Sequence, residues 1–282
     1  MKNFIYLSLT LISLVTISSC QKDGNPVANN VTIHFNNTFK DKTIILGDAG
    51  STTATKNTSA EGQVHHFSEL KYVISNIRLV KTDGKEVPYN INDLDNGAAV
   101  IDQNKPESLD YILNNIPVGE YKQLKFGLGV NAALNTLDET RFPKFYALAG
   151  ANDTEMMWEW GTGYRFTKIE GFYDVDGKEL SIHTGSTIQG EEGTYTQGVD
   201  AYREIILNFP AHAIVGTRAP KINIIADFDK LLSGKINTIL LDDLNATPNV
   251  HTALNMVKFV DNLGGNGVND LSGMFSIQNV EN

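Results

Sequence analysis

The sequence predicts a mainly β protein, a single-domain β-sandwich with few short helices. Three observations support this fold class. Apolar and polar residues alternate along several segments, which is the pattern of strands with one buried face. Two Asp-Gly pairs, at 83–84 and 176–177, lie between such segments and predict tight hairpin turns. Helical periodicity is confined to two short stretches.

The strand pattern begins where Val31, Ile33 and Phe35 alternate with polar residues. The same period of two occurs over 123–128, 204–209 and 222–226. No linker rich in proline and serine interrupts the chain. We therefore predict one domain over residues 31–280.

The better of the two helix candidates spans 248–263, where Thr247 can cap the first turn and two glycines follow the last. Its spacing predicts that Leu254, Val257 and Val260 pack on the sheets. Helical spacing of apolar residues also predicts a short helix over 108–114.

The N-terminus has the pattern of an export signal. Lys2 precedes an apolar stretch over 4–17, which is shorter than the roughly 20 residues of a membrane-spanning helix. The stretch closes with Ile17, two serines and Cys20. We predict a lipoprotein signal peptide over 1–19, a diacylglycerol on the Cys20 thiol and a polar tether over 20–30. The alternative is an ordinary signal peptide with an incidental cysteine.

Composition limits the partners and the compartment. Cys20 is the one cysteine among 282 residues, so the mature chain is expected to fold without a disulfide. The formal charge of −10 disfavours nucleic acid as a partner. The expected location is the outer membrane, through lipid on Cys20, with either the periplasmic face or the cell surface as the side that carries the protein.

Familiar catalytic motifs are absent, so we expect no enzyme activity. The chain has no nucleophile elbow, phosphate loop, dinucleotide fingerprint or zinc-protease helix motif. With 33 acidic residues, carboxylate pairs are inevitable and do not indicate acid–base catalysis.

The most informative segment runs from 156 to 186. Two methionines precede Trp158 and Trp160, the two tryptophans of the chain, and His183 follows within a predicted strand. The plainest interpretation is aromatic core packing with a hydrogen-bonded histidine.

Several blocks of the sequence resemble the MbnP-like family. They are KYVISNIRL at 71–79, PVGEY leading to FGLGVN within 117–131, MWEWGTGYRF followed by KIEG within 157–171, IHTGS at 182–186, and DNL with MF within 261–275. The blocks keep the family's order over nearly the whole mature chain. The Trp-x-Trp-x-x-Gly-Tyr and His-x-Gly pieces together are the most specific.

This resemblance implies an exported β protein associated with copper. Relatives bind copper through histidines, and a partner di-haem enzyme oxidises one tryptophan to kynurenine. Carried over to this chain, Trp158 or Trp160 would be modified and His183 would be a ligand. The chain departs from the copper-handling branch, which has several cysteines and a histidine after the asparagine where this chain has Asn135 and Thr136.

The donor types also favour copper. Imidazole and thioether ligands without thiolates suit copper better than zinc. Since the adjacent His65 and His66 would point to opposite faces of a strand, at most one of them serves a given site. We name His183, His34 and His66 as candidate ligands.

The leading hypothesis is a lipoprotein that binds a metal, copper, for uptake, storage or handover to an outer-membrane transporter. The alternative is a surface module that binds a glycan or a protein and has lost the metal.

Overall fold

A computed structural model of the chain describes residues 28–135, 140–149, 156–158, 163–190, 196–266 and 273–282. Two predicted sites, Cys20 and Trp160, lie outside these residues. The described strands span Val31–Phe39 (β1), Lys42–Thr43 (β2), Asn57–Thr58 (β3), Val64–Lys81 (β4), Glu86–Tyr89 (β5), Ala99–Asp102 (β6), Asp110–Leu113 (β7), Gly119–Leu128 (β8), Thr167–Tyr173 (β9), Lys178–Thr184 (β10), Ile188–Gln189 (β11), Thr196–Gln197 (β12), Arg203–Val215 (β13), Lys221–Asp227 (β14) and Phe275–Glu281 (β15). The helices are Leu94–Gly97 (α1), Pro143–Ala149 (α2) and Ala253–Gly264 (α3), with 3₁₀ turns at Pro106–Leu109, Phe228–Leu231 and Val250–Thr252.

Two sheets make up the sandwich. The smaller sheet has the order β15-β14-β1-β2, with β7 also paired to β1, and β1 runs parallel to β14. The larger sheet has the order β10-β9-β4-β8-β13, and the long strand β4 also pairs with β3, β5 and β6. The predicted mainly β sandwich is therefore confirmed.

The main core fills the space between the sheets. Phe35 of β1 makes edge-to-face contacts with Tyr72, Phe126 and Phe275, at ring-centroid distances of 5.9, 6.0 and 6.3 Å. Aromatic pairs prefer this offset geometry to face-to-face stacking. The alternation read from the sequence places Phe35 and Phe126 on the core faces of their strands, because every second residue of a strand points to the same face.

A second apolar cluster lies on the opposite, outer face of the larger sheet. We call it the outer apolar cluster, and its largest members are Phe142, Phe145, Met156, Met157, Trp158, Tyr164 and Phe166. It packs against Val73 of β4 and includes residues of α1, α2 and α3. The larger sheet is therefore buried on both faces at this end.

The predicted C-terminal helix exists, but its start and its buried face differ from the prediction. Asn249, not Thr247, caps the 3₁₀ turn that leads into α3 at Ala253. Leu254 is 84% exposed, whereas the buried face of α3 is formed by Met256, Phe259, Val260, Asn262 and Leu263. Met256, Phe259, Val260 and Leu263 follow the i, i+3, i+4, i+7 spacing of one helix face, and Leu254 lies on the opposite side of the helix.

The helix predicted over 108–114 is wrong. A 3₁₀ turn ends at Leu109, and β7 then pairs antiparallel with β1 from Asp110 to Leu113. Ladder hydrogen bonds to β1 outweigh helical propensity in so short an apolar segment. Among the described residues, no helix is long and apolar enough to span a bilayer.

Candidate metal site

His183 lies on β10, an edge strand of the larger sheet whose outer edge is bonded by a later segment of the chain. The backbone N–H of His183 donates to the carbonyl of Pro248 at 3.1 Å, and that of Ser181 donates to the carbonyl of Ala246 at 2.8 Å. On its other side His183 is paired with Lys168 of β9. The strand is therefore held on both sides, which fixes the backbone that carries the imidazole.

The imidazole of His183 has three side-chain partners within the described residues. Its Nε2 lies 2.5 Å from Oε1 of Glu170 and 3.4 Å from Oγ of Ser181. The ring also meets Trp158 edge-on, with centroids 6.0 Å apart. The side chain is only 16% exposed, so these contacts are largely shielded from water.

Trp158 sits in the outer apolar cluster, with one face covered by a cation. The guanidinium carbon of Arg165 lies 4.6 Å from the centre of the indole. The backbone N–H of Trp158 donates to Gly163 at 3.0 Å, and Met157 forms a bridge with Tyr164. These contacts pair the short segment 156–158 with 163–165.

Limited space explains why the third residue of the His-x-Gly motif, Gly185, is a glycine. A Cβ on Gly185 would lie 2.8 Å from Nε1 of Trp158 and 3.1 Å from the carbonyl oxygen of Tyr164. The chain passes the indole at a distance that leaves no room for a side chain. This close approach links the His-x-Gly and Trp-x-Trp segments in space.

A charged network on the same outer face includes Lys168, the cross-strand partner of His183. Glu69 accepts from both Lys71 at 2.5 Å and Lys168 at 3.1 Å, and Lys71 lies 3.9 Å from Asp102. The two lysine side chains are each 8% exposed. Ammonium groups this buried need nearby carboxylates to offset their lost hydration.

The family model named MbnP matches residues 28–252. This chain belongs to the MbnP family. A solved structure, MbnP from Methylosinus trichosporium, is similar with a TM-score of 0.48 and 16% sequence identity, covering 73% of this chain and 78% of that one. No curated protein matches the chain.

Three of the blocks that resemble MbnP meet at this site. The block at 157–166 supplies Trp158, the block at 168–171 is part of β9 and supplies Glu170, and the block at 182–186 supplies His183. The sequence could not show this meeting, since it depends on the pairing of β9 with β10. These three blocks thus converge on the outer face of the larger sheet.

The other two candidate ligands lie in separate environments. His34 is on β1 of the smaller sheet, and its Nδ1 lies 2.8 Å from Oδ1 of Asp110. Burial alone raises the pKa of Asp110, but the hydrogen bonds from His34 and Lys221 outweigh it and hold that pKa below its ordinary value. His66 approaches the carbonyl of Asp48 at 3.0 Å and packs on Phe172.

The structure does not bring these three histidines together. Among the described residues, no group of three or more His, Cys, Asp or Glu side chains has the arrangement of a metal site. His183 alone of the three contacts Trp158. Its neighbourhood is therefore the site to which the family resemblance points.

Glu170 and Arg165, the partners of His183 and Trp158, were not among the site residues predicted from the sequence. Both lie in blocks that resemble the family, at 157–166 and 168–171, but neither block assigns them a role. Glu170 and Lys168 lie at a spacing of two along β9, which places them on one face. This spacing and the KIEG block are the sequence signals for Glu170, and they identify His183 as a neighbour only once the strand register is known.

Proposed function

We propose that this protein is an exported lipoprotein that binds copper at His183 and serves copper uptake, storage or handover. The observation that carries the proposal is the contact between His183 and Trp158. It joins the two most specific motifs of the family resemblance in a shielded position. The proposal follows from the donor types at this position and from the implications of that family.

The donor chemistry fits copper in part. His183 supplies an imidazole, and the thioethers of Met156 and Met157 belong to the same outer apolar cluster as Trp158. Copper accepts both donor types. A kynurenine formed from Trp158 or Trp160 by a di-haem partner enzyme would add a ketone oxygen and an aromatic amine as further donors.

Export and anchoring rest on the first twenty residues. The apolar stretch over 4–17 and the small residues before Cys20 support cleavage and lipidation at that cysteine. An outer-membrane location would place the protein beside an outer-membrane transporter, its expected partner in handover. With Cys20→Ser, we expect the protein to move from the membrane fraction to the soluble fraction and to lose the mass of the lipid.

Copper titration of the mature protein, with metal analysis and intact mass on the same sample, tests the function. We expect one bound copper in the wild type, loss of that copper in His183→Ala, and retention in His34→Ala as the matched control. A mass gain on tryptophan would support the partner enzyme. Equal copper in wild type and His183→Ala would contradict the proposal.

Two observations favour the alternative, a surface module that binds a protein or a glycan. Within the described residues, the candidate histidines do not form a metal-binding group of three. In addition, Leu240, Leu244 and Leu254 are 50%, 81% and 84% exposed around the segment that borders β10. Absence of copper above background, together with unmodified tryptophans, would favour this function.

A further inference from the structure

The Glu170–His183 pair distinguishes the two nitrogens of the imidazole. We propose that Glu170 is a positioning residue that holds His183 with its proton on Nε2 and so leaves Nδ1 as the nitrogen that binds the metal. This inference rests on the proposed function. It assigns the bonding atom and a supporting residue that the family resemblance does not identify.

The assignment follows from donor and acceptor roles. An ionised carboxylate can only accept hydrogen bonds, so the imidazole must donate from the nitrogen that faces it. That nitrogen is Nε2, which lies 2.5 Å from Oε1 of Glu170. A neutral imidazole carries one proton, so its lone pair is then on Nδ1. Within the described residues, Nδ1 of His183 has no hydrogen-bond partner.

Glu170 is itself held in place. It lies on β9, which is paired with β4 on one side and β10 on the other, so its backbone is fixed on both edges. The hydroxyl of Ser181, its cross-strand partner, donates to Oε1 at 3.2 Å. A carboxylate fixed in this way sets the direction of the imidazole.

Trp158 restricts the ring from another direction. Its indole meets the imidazole at an interplanar angle of 64°. A rotation of the imidazole by 180° would exchange nitrogen and carbon positions and break the bond to Glu170. The carboxylate and the indole therefore select one orientation of the ring. Removal of such an outer partner typically weakens metal binding by about 10–100-fold.

The proton position can be measured in the metal-free protein by long-range ¹H–¹⁵N NMR correlation with ¹⁵N-histidine labelling. We expect His183 to show a protonated Nε2, slowed in exchange with water, and a bare Nδ1. His34 is an internal control, because its bond to Asp110 is made through Nδ1 and predicts the opposite proton position. A protonated Nδ1 on neutral His183 would overturn the proposal.

Two variants separate positioning from folding. Glu170→Gln keeps a carbonyl acceptor of almost the same shape, so we expect the Nε2 proton to remain. Glu170→Ala removes the acceptor, so the Nε2 proton should exchange fast and copper affinity should fall by about 10–100-fold. An unchanged Nε2 proton and unchanged affinity in Glu170→Ala would overturn the role of Glu170.

Titration with Cu(I), which is diamagnetic, identifies the bonding nitrogen in the wild type. We expect the Nδ1 resonance to shift while the Nε2 proton is retained. Loss of the Nε2 proton on binding would overturn the assignment to Nδ1. If the wild type takes up no copper, the proposed function fails, and the metal-free spectrum still decides whether Glu170 sets the proton position.

Discussion

The two faces of the larger sheet carry opposite chemistry on the same strands. On the inner face, Phe67 and Leu70 of β4 pack with Ile169 of β9 in the main core. On the outer face, Glu69 and Lys71 of β4 lie beside Lys168 of β9. The Lys71 and Lys168 side chains are nearly as buried as the core, at 8% exposed each. Burial alone therefore does not separate the two faces.

The difference shows what each face contributes. Apolar burial on the inner face is favourable and needs no specific partner. Buried charges on the outer face need fixed partners, and replacement by apolar residues is often neutral or stabilising. Stability alone therefore does not explain an outer face of this kind.

The largest expected effect is a loss of stability on the inner face. Phe67 is fully buried and contacts Phe39 and Phe228, so Phe67→Ala should lower the free energy of unfolding by about 3–5 kcal/mol. Urea unfolding measures the change. Phe67→Leu, which leaves a smaller cavity, is the control and should cost clearly less. An Ala variant as stable as wild type would contradict the packing of this face.

His65 is a polar residue buried on the inner face, and its burial predicts that stability depends on pH. It packs against Phe39 and Phe67, and within the described residues neither ring nitrogen has a partner at hydrogen-bonding geometry. The nearby Gln63 backbone raises the pKa of His65. Burial outweighs this and lowers the pKa from 6.5 to about 4. The unfolded chain therefore binds a proton at His65 at a higher pH than the folded protein does.

The stability of the protein should decrease as the pH falls, because His65 resists protonation in the folded state. Above pH 6.5 His65 is neutral in both states, and as the pH falls towards about 4 the unfolded state gains a proton first. Stability should fall over this window by about 3 kcal/mol more in wild type than in His65→Leu. Equal pH dependence in wild type and His65→Leu would contradict the buried neutral histidine.

A smaller effect is expected from the outer charged network. Glu69→Gln leaves Lys71 and Lys168 with less compensation and should cost about 1–3 kcal/mol, less than a fully buried pair because Glu69 is 20% exposed. Adding Lys71→Met should recover part of that loss. Recovery would show that the charged network does not stabilise the fold. A further large loss of stability would contradict the contrast drawn between the two faces of the larger sheet.

The smallest effect is expected at Ser181. Its hydroxyl bonds the already fixed Glu170, so Ser181→Ala should change the free energy of unfolding by less than about 1 kcal/mol. Thermal unfolding measures this change, with Ser181→Thr as the control that keeps a hydroxyl. A loss comparable to that of Phe67→Ala would mean that contacts on the outer face stabilise the fold as much as the main core does.

The strands and the fold class could be predicted from the sequence, because the alternation of apolar and polar residues indicates which side chains face a core. It predicted Val31, Ile33 and Phe35 on one buried face, and β1 confirms this. It also placed His65 and His66 on opposite faces, as their contacts with Phe39 and Phe172 confirm. These properties are local to one strand.

Pairing between strands could not be predicted in the same way. A register shift between Phe67 and Glu69 interrupts the alternation of β4 and directs Glu69 to the outer face beside Lys168. Strict alternation from Phe67 would have placed Glu69 in the core. The Glu170–His183 contact likewise depends on the register of β9 with β10.

The proposed binding of copper by His183 can be tested by anomalous diffraction at the copper edge. Crystals of copper-loaded mature protein should show one strong peak bonded to the His183 imidazole, beside Trp158, and the peak should vanish in His183→Ala. A peak at His34 or His66, or weak peaks scattered over the surface with none at His183, would contradict the account.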